Sequence, residues 1–126
     1  IKYSENDTAY AGLYTVYSAQ ARWADAVTSL DKAIQINPQF TDYYKWKIGI
    51  MDEKTNASFD ELVAVYEKAL VQVSPDSKIN LVTYFAGVAE RNGQYSYAMM
   101  YWKYAISLFP GNADVYQAEI DRLKEF

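Results

Sequence analysis

The sequence predicts an all-α fold: a right-handed superhelix (α-solenoid) of antiparallel helix pairs, with about seven helices and no strands. Three related stretches carry this prediction: LDKAIQINP (30–38), YEKALVQVSP (66–75) and WKYAISLFP (102–110). Each has a bulky residue, then an alanine, then a proline, and successive prolines are 37 and 35 residues apart. A period of roughly 34 residues is typical of one helix–turn–helix unit in a stacked solenoid.

The first repeat, about residues 7–40, predicts two amphipathic helices. The first helix has apolar residues at i, i+3, i+4 and i+7, which is the spacing of one helical face: Tyr10, Leu13, Tyr14 and Tyr17. After a break at 20–22, the second helix has its own apolar face: Ala26, Leu30, Ala33 and Ile34. We expect it to end at Asn37 and Pro38, because proline lacks an amide donor and clashes with the preceding turn.

The third repeat, about residues 78–111, follows the first position for position. Its apolar positions are Val82, Phe85, Ala86 and Ala89 in one helix, then Ala98, Trp102, Ala105 and Ile106 in the next. The pair Asn92-Gly93 between them is a strong turn signal, because both residue types tolerate positive φ.

The second repeat, about residues 41–77, is less regular. Its apolar positions are Phe40, Tyr44, Ile48 and Met51, then Leu62, Tyr66 and Ala69. The turn between its helices is about two residues longer than in the other repeats. Ser58 is the expected N-cap after this turn, with Glu61 completing a capping box.

A capping helix within residues 112–126 completes the prediction. We expect Asn112 to cap it and its apolar face to point inward: Val115, Tyr116, Ile120 and Leu123. A polar outer side is what the end of a solenoid requires. We therefore expect a single domain over residues 1–126. Because the chain starts at Ile1 without a methionine, we expect it to be a fragment of a longer protein or a processed product.

Composition excludes several classes of function. The net charge of −4 argues against a nucleic-acid partner, since phosphate binding needs clustered Lys and Arg. Cysteine and histidine are both absent, which removes disulfides, thiolate nucleophiles, Cys/His zinc sites and triads with a histidine base. No apolar run approaches the roughly 18 residues of a spanning helix, so we expect a soluble domain without membrane insertion. The sequence assigns no compartment.

Acidic residues are the remaining candidates for catalysis. Paired acids occur at 51–54 and 119–122, but acids at helical spacing are usually a solvated helix face. We therefore expect no enzyme, and neither catalytic residues, a cofactor nor a metal.

The repeats resemble the tetratricopeptide repeat (TPR), whose signature is W-x2-L-G-x2-Y, then A-x3-F-x2-A, then P. The first repeat is similar to it at eight positions: Tyr10, Leu13, Tyr14, Tyr17, Ala26, Leu30, Ala33 and Pro38. The third repeat is similar at another eight: Val82, Phe85, Ala86, Ala89, Ala98, Trp102, Ala105 and Pro110. The second repeat departs from the pattern, with Lys47 where the family has Leu.

The resemblance implies a non-catalytic scaffold whose first helices line a concave groove for a peptide or a partner segment. The groove positions it implies are Thr15, Lys45, Trp46, Gly49, Asn80, Thr83, Tyr84, Gly87 and Gln117. Trp46 and Tyr84 would be the amphipathic anchors. Co-chaperone members of the family bind a C-terminal carboxylate with Lys and Asn, but Ala11 and Thr15 stand in those places in the first repeat.

A second hypothesis is a structural appendage that orients a larger protein or joins it into a homo-oligomer. TPR arrays are often soluble tails on bacterial envelope proteins, including ligases of the O-antigen type, which is an analogy at the level of the fold. This hypothesis predicts an exposed apolar patch on the last helix, at Ile120, Leu123 and Phe126.

Overall fold

The computed structural model describes residues 6–126, and over these residues the chain forms seven α-helices and no strand. The helices are α1 (Asp7–Ala19), α2 (Trp23–Ile36), α3 (Thr41–Glu53), α4 (Phe59–Gln72), α5 (Pro75–Arg91), α6 (Tyr95–Leu108) and α7 (Ala113–Leu123). The all-α class and the number of helices predicted from the sequence are therefore confirmed.

The helices fall into two compact units. The first ends at Val73 and contains α1 to α4, and the second, Ser74–Phe126, contains α5 to α7. In the first unit α1 packs on α2, α2 on α3 and α3 on α4. In the second unit α5 packs on α6, and α6 packs on α7. Within each unit, every helix thus packs on its neighbour in the chain.

The turns within the helix pairs use left-handed backbone conformations. Ala21 ends the α1–α2 turn at φ 56°, and Gly93 adopts φ 73° between α5 and α6. Glycine has no steric penalty in this conformation. The turn predicted at Asn92-Gly93 is therefore formed, and Gly93 is the residue with positive φ. In the longer turn between α3 and α4, Asn56 has φ 56°.

The predicted capping box at the start of α4 is confirmed. The Glu61 amide donates to the Ser58 Oγ at 3.2 Å, and the Ser58 amide donates to the Glu61 carboxylate at 3.1 Å. Two amides that the helix itself cannot satisfy are thereby bonded.

Two of the prolines begin a helical element rather than end one. Pro75 is the first residue of α5, after Ser74 at the N-cap, while α4 already ends at Gln72. Proline suits this position because its missing amide would have no partner in the first turn. Pro110 similarly opens a short 3-10 turn, Pro110–Asn112, before α7. At these two repeat boundaries, proline is therefore the first residue of the next helical element.

The core of each unit is built from the positions that the repeat pattern selects. In the first unit the fully buried residues include Ala26, Leu30, Ala33, Ile48, Leu62 and Ala69. In the second unit they include Val82, Phe85, Ala86, Ala89, Ala98 and Ala105. The recurring alanines let neighbouring helices approach closely, because a larger side chain at these positions would have no space.

Three residues that we expected to face inward are exposed: Leu13, Phe40 and Val115. A helix that packs against a neighbour on one side only buries fewer residues than the repeat signature marks as apolar. In α7 that stripe is Tyr116, Ile120 and Leu123, which leaves Val115 in solvent.

The prediction of an exposed apolar patch on the last helix is wrong for two of its three residues. Ile120 and Leu123 are buried, because they form the face of α7 that packs on α6. Phe126 is exposed, and its ring stacks on Tyr95 with centroids 4.5 Å apart. None of the helices in the described part of the chain is long and apolar enough to cross a bilayer.

Candidate binding face

Four aromatic side chains form a continuous cluster in the first unit, which we call the aromatic face: Tyr14, Phe40, Tyr43 and Trp46. The Trp46 indole stacks on the Tyr14 ring, with centroids 5.4 Å apart and planes within 9°. The rings of Phe40 and Tyr43 meet the indole at 6.4 and 5.7 Å. Phe40 and Tyr43 are themselves in edge contact at 4.5 Å. The cluster therefore joins α1 to α3.

The aromatic face has a buried floor and an exposed rim. Tyr43 is only 3% exposed, whereas Trp46 and Phe40 are 36% and 41% exposed. Partly exposed aromatic side chains on a rigid base are the residue type that dominates binding energy at protein interfaces. The indole can therefore accept an apolar group from a partner without first leaving a packed core.

A carboxylate at the start of α1 fixes the floor of this face. The Tyr43 hydroxyl donates to the Asp7 carboxylate at 2.7 Å, and the Asn37 side-chain amide donates to the same oxygen at 3.2 Å. These hydrogen bonds hold the pKa of Asp7 below its usual value of 3.8. Burial, and then Asp7 itself, raise the pKa of Tyr43 to about 12. The neutral tyrosine and the ionised aspartate are thus the stable pair.

The first-unit groove positions predicted from the sequence lie on α1 and α3. Trp46 belongs to the aromatic face. Thr15 is exposed, and its hydroxyl donates to the Ala11 carbonyl of its own helix at 3.2 Å. Lys45 and Gly49 are half-buried on α3.

The second-unit positions lie on α5 and α7. The Thr83 hydroxyl donates to the Ile79 carbonyl at 2.9 Å, and the Gln117 amide donates to Asp121 at 3.0 Å. A side chain added at Gly87 would meet only the end of Arg91, at 3.8 Å, so packing does not require glycine there. The remaining two positions on α5 are Asn80, which is exposed, and Tyr84, which is half-buried.

Sequence reasoning missed three members of the aromatic face. It assigned Tyr14 and Phe40 to helix packing and gave Tyr43 no role. A signal was available, because Phe40, Tyr43 and Trp46 follow one another at intervals of three residues, which places them on one side of a helix. The contact of this row with Tyr14 depends on how α1 lies against α3, and the sequence does not give that.

No protein-family model matches the sequence, and no curated protein matches it. Among solved structures, the chain is similar to the N-terminal domain of stress-induced protein-1 (STI-1) from C. elegans. The two share 19% sequence identity and a TM-score of 0.70, and the alignment covers 94% of each chain. That domain is a TPR-type helical repeat. The chain therefore has a helical-repeat fold of the TPR type, as the resemblance of its first and third repeats implied.

Proposed function

We propose that this domain is a non-catalytic scaffold for protein–protein interaction, which binds a peptide or a partner segment on the first helices of its repeats. The fold supports the general class, because TPR-type domains commonly mediate such interactions. The observation that carries the proposal is the exposed Trp46 indole stacked on Tyr14. We propose it as the main anchor for an apolar side chain of the partner.

The stacking favours binding in a second way. A side chain that is already held in one orientation loses little conformational entropy when a partner packs on it. The Tyr14 ring holds the indole from one side, and the rings of Phe40 and Tyr43 contact it as well.

We propose further contacts at the remaining groove positions of each unit. In the first unit these are Thr15, Lys45 and Gly49. In the second unit they are Asn80, Thr83, Tyr84, Gly87 and Gln117. The net charge of −4 makes a protein or peptide a better partner than a nucleic acid.

The chemistry of the aromatic face supports binding rather than catalysis. Asp7, the carboxylate at this face, has a lowered pKa and is already bonded to Tyr43 and Asn37. A general acid or base works best with a pKa near the operating pH, and this carboxylate is shifted away from it.

The experiment is a selection from a displayed library of random peptides, followed by Kd measurements on the best binders. Trp46→Ala should weaken binding at least about tenfold, which corresponds to a loss of about 1.4 kcal/mol of binding free energy. The helical circular dichroism of the variant should match that of wild type. The matched control is Tyr97→Ala, an exposed aromatic residue on α6 in the other unit, and it should stay within about twofold. Equal binding by wild type and Trp46→Ala would contradict the proposal.

The alternative function is a self-associating appendage of a larger protein, and the exposed ring of Phe126 favours it. Light scattering over a wide concentration range separates the two. The scaffold proposal expects a monomer. A dimer that dissociates in Phe126→Ala, and persists in Trp46→Ala, would favour the appendage.

A further inference from the structure

A cavity of about 610 Å³ lies within the first unit, among α2, α3 and α4. Tyr44 and Lys47 line it, whereas Tyr43 and Trp46 belong to the aromatic face. Consecutive residues of a helix point about 100° apart around its axis, so the cavity and the aromatic face lie on different sides of α3. The volume is within the usual range of ligand sites in proteins, about 300–1,000 Å³.

The lining of this cavity is positively charged, although the chain as a whole is acidic. It includes Lys32, Lys47 and Lys68 but a single carboxylate, Asp31. Lys47 Nζ pairs with Asp31 Oδ1 at 2.6 Å, which neutralises those two charges. Lys32 contacts the face of the Tyr10 ring at 5.8 Å, and a ring contact leaves its charge in place. Lys68 makes no ion pair with any residue in the described range 6–126.

Part of the lining is apolar, and we call this part the floor of the cavity. Ile34 comes from α2, and Ala64 and Val65 come from α4. The Tyr44 hydroxyl donates to the Pro38 carbonyl at 2.6 Å, so this residue adds mainly its ring surface to the floor. A ligand that fits this lining combines an apolar group with negative charge.

Lys47 also accounts for the departure of the second repeat from the TPR pattern. The leucine that the family has at this position could not form an ion pair. The lysine instead carries its amine across to Asp31 on α2, with a side chain that is 21% exposed. Lys47, the residue at which the second repeat departs from the TPR pattern, is therefore one of the charged residues that line the cavity.

We propose that this cavity is a second binding site, which takes an acidic segment of a partner protein. An apolar side chain of the segment lies on the floor, and its neighbouring Asp or Glu carboxylates pair with Lys32 and Lys68. Charge complementarity identifies the occupant, because Lys32 and Lys68 have no carboxylate partner among residues 6–126. The lining contains no arginine, whose fork favours phosphate. The site goes beyond the proposed function, since it uses no residue of the aromatic face.

The test titrates two synthetic peptides, acetyl-LEELEE-amide and acetyl-LQQLQQ-amide, into the whole ¹⁵N-labelled chain at low ionic strength, where exposed charges are least screened. The acidic peptide should cause saturable shifts of the backbone amides at the cavity, and the glutamine peptide should bind at least about fivefold more weakly. Lys68→Glu should weaken the acidic peptide at least about tenfold. Lys103→Glu, the same charge change at an exposed position on α6, should stay within about twofold.

Several results would overturn this second site. They are the absence of saturable shifts, equal binding of the two peptides, or an equal loss in Lys68→Glu and Lys103→Glu. Inorganic phosphate that causes the same shifts with the same affinity would indicate a small-anion site and overturn the peptide assignment. Trp46→Ala should bind the acidic peptide like wild type. A loss there would place the peptide on the aromatic face, which overturns the second site and leaves the proposed function intact.

Discussion

The rings of Tyr14 and Trp46 stack within 9° of parallel, with their centroids 5.4 Å apart. Tyr14 lies on α1 and Trp46 on α3, so the stack connects the first helices of two successive repeats. Because one of the two rings is also 36% exposed, the same contact supports the fold and presents a surface to a partner.

The stack should be measurable as a coupling energy. We expect Trp46→Ala to cost about 1–2 kcal/mol of unfolding free energy, since the residue is only partly buried. In a double-mutant cycle with Tyr14→Ala, the coupling should be about 0.5–1.5 kcal/mol. Urea denaturation of the four proteins measures both quantities. A cost of about 4 kcal/mol for Trp46→Ala would place the indole in the core and remove it from the binding surface.

The periodic core tests the repeat architecture. Ala33→Leu should cost about 1–3 kcal/mol, because Ala33 is fully buried between helices and the added carbons have no space. Ala105→Leu should cost a similar amount in the second unit, where Ala105 is equally buried. The control is Ala24→Leu at an exposed position of α2, which should change stability by less than about 0.5 kcal/mol. Thermal or urea unfolding measures these changes in stability. If Ala24→Leu destabilised the protein as much as Ala33→Leu and Ala105→Leu do, this packing would be contradicted.

The capping box at α4 offers a matched pair of serines. Ser58→Ala should cost about 1 kcal/mol, because it removes the acceptor for the Glu61 amide. Ser74 is also an N-cap, at α5, but its side chain makes no capping hydrogen bond. Ser74→Ala should therefore cost only a few tenths of a kcal/mol. Urea unfolding midpoints check this, and equal costs would contradict the role given to the box.

The Asp7–Tyr43 hydrogen bond predicts a pH dependence. The pKa of Asp7 is lowered from 3.8 in the folded protein, chiefly by Tyr43. Its contribution to stability is therefore present above pH 3.8 and is lost as the pH falls through and below that value. Tyr43→Phe removes the hydroxyl, so the variant should lose less stability on acidification than wild type does.

The same pair predicts a second change in alkali. The pKa of Tyr43 rises from 10.0 to about 12, so its contribution is present below pH 10 and is lost as the pH rises toward 12. Thermal unfolding of wild type, Tyr43→Phe and the exposed-site control Tyr97→Phe measures the stability change in acid and in alkali. The control should follow wild type. Parallel curves for wild type and Tyr43→Phe at both extremes would show that the hydrogen bond does not act on stability.

Much of the fold could be predicted from the sequence, because helix periodicity and close packing leave a direct pattern in it. Ala26, Leu30 and Ala33 recur at the same spacing as Ala98, Trp102 and Ala105, since each set belongs to a helix that packs on its neighbours. The capping box also depends on residues three apart, so Ser58 and Glu61 could be identified without any tertiary information.

The binding face was less accessible to sequence reasoning, because exposure depends on what covers each helix. Leu13 fits the same signature position as the fully buried Phe85, yet it is 41% exposed. Ile120 has the apolar character of a patch residue, yet α6 covers it. The stack of Tyr14 on Trp46 depends on the placement of α1 against α3, which no local pattern specifies.

The most direct test of the central claim is the Kd of a library-selected peptide for wild type, Trp46→Ala and Tyr97→Ala, with circular dichroism to verify each fold. We expect Trp46→Ala to remain folded and bind at least about tenfold more weakly, while Tyr97→Ala binds within about twofold of wild type. A folded Trp46→Ala that binds the selected peptides as tightly as wild type would contradict the claim that the aromatic face is the binding surface.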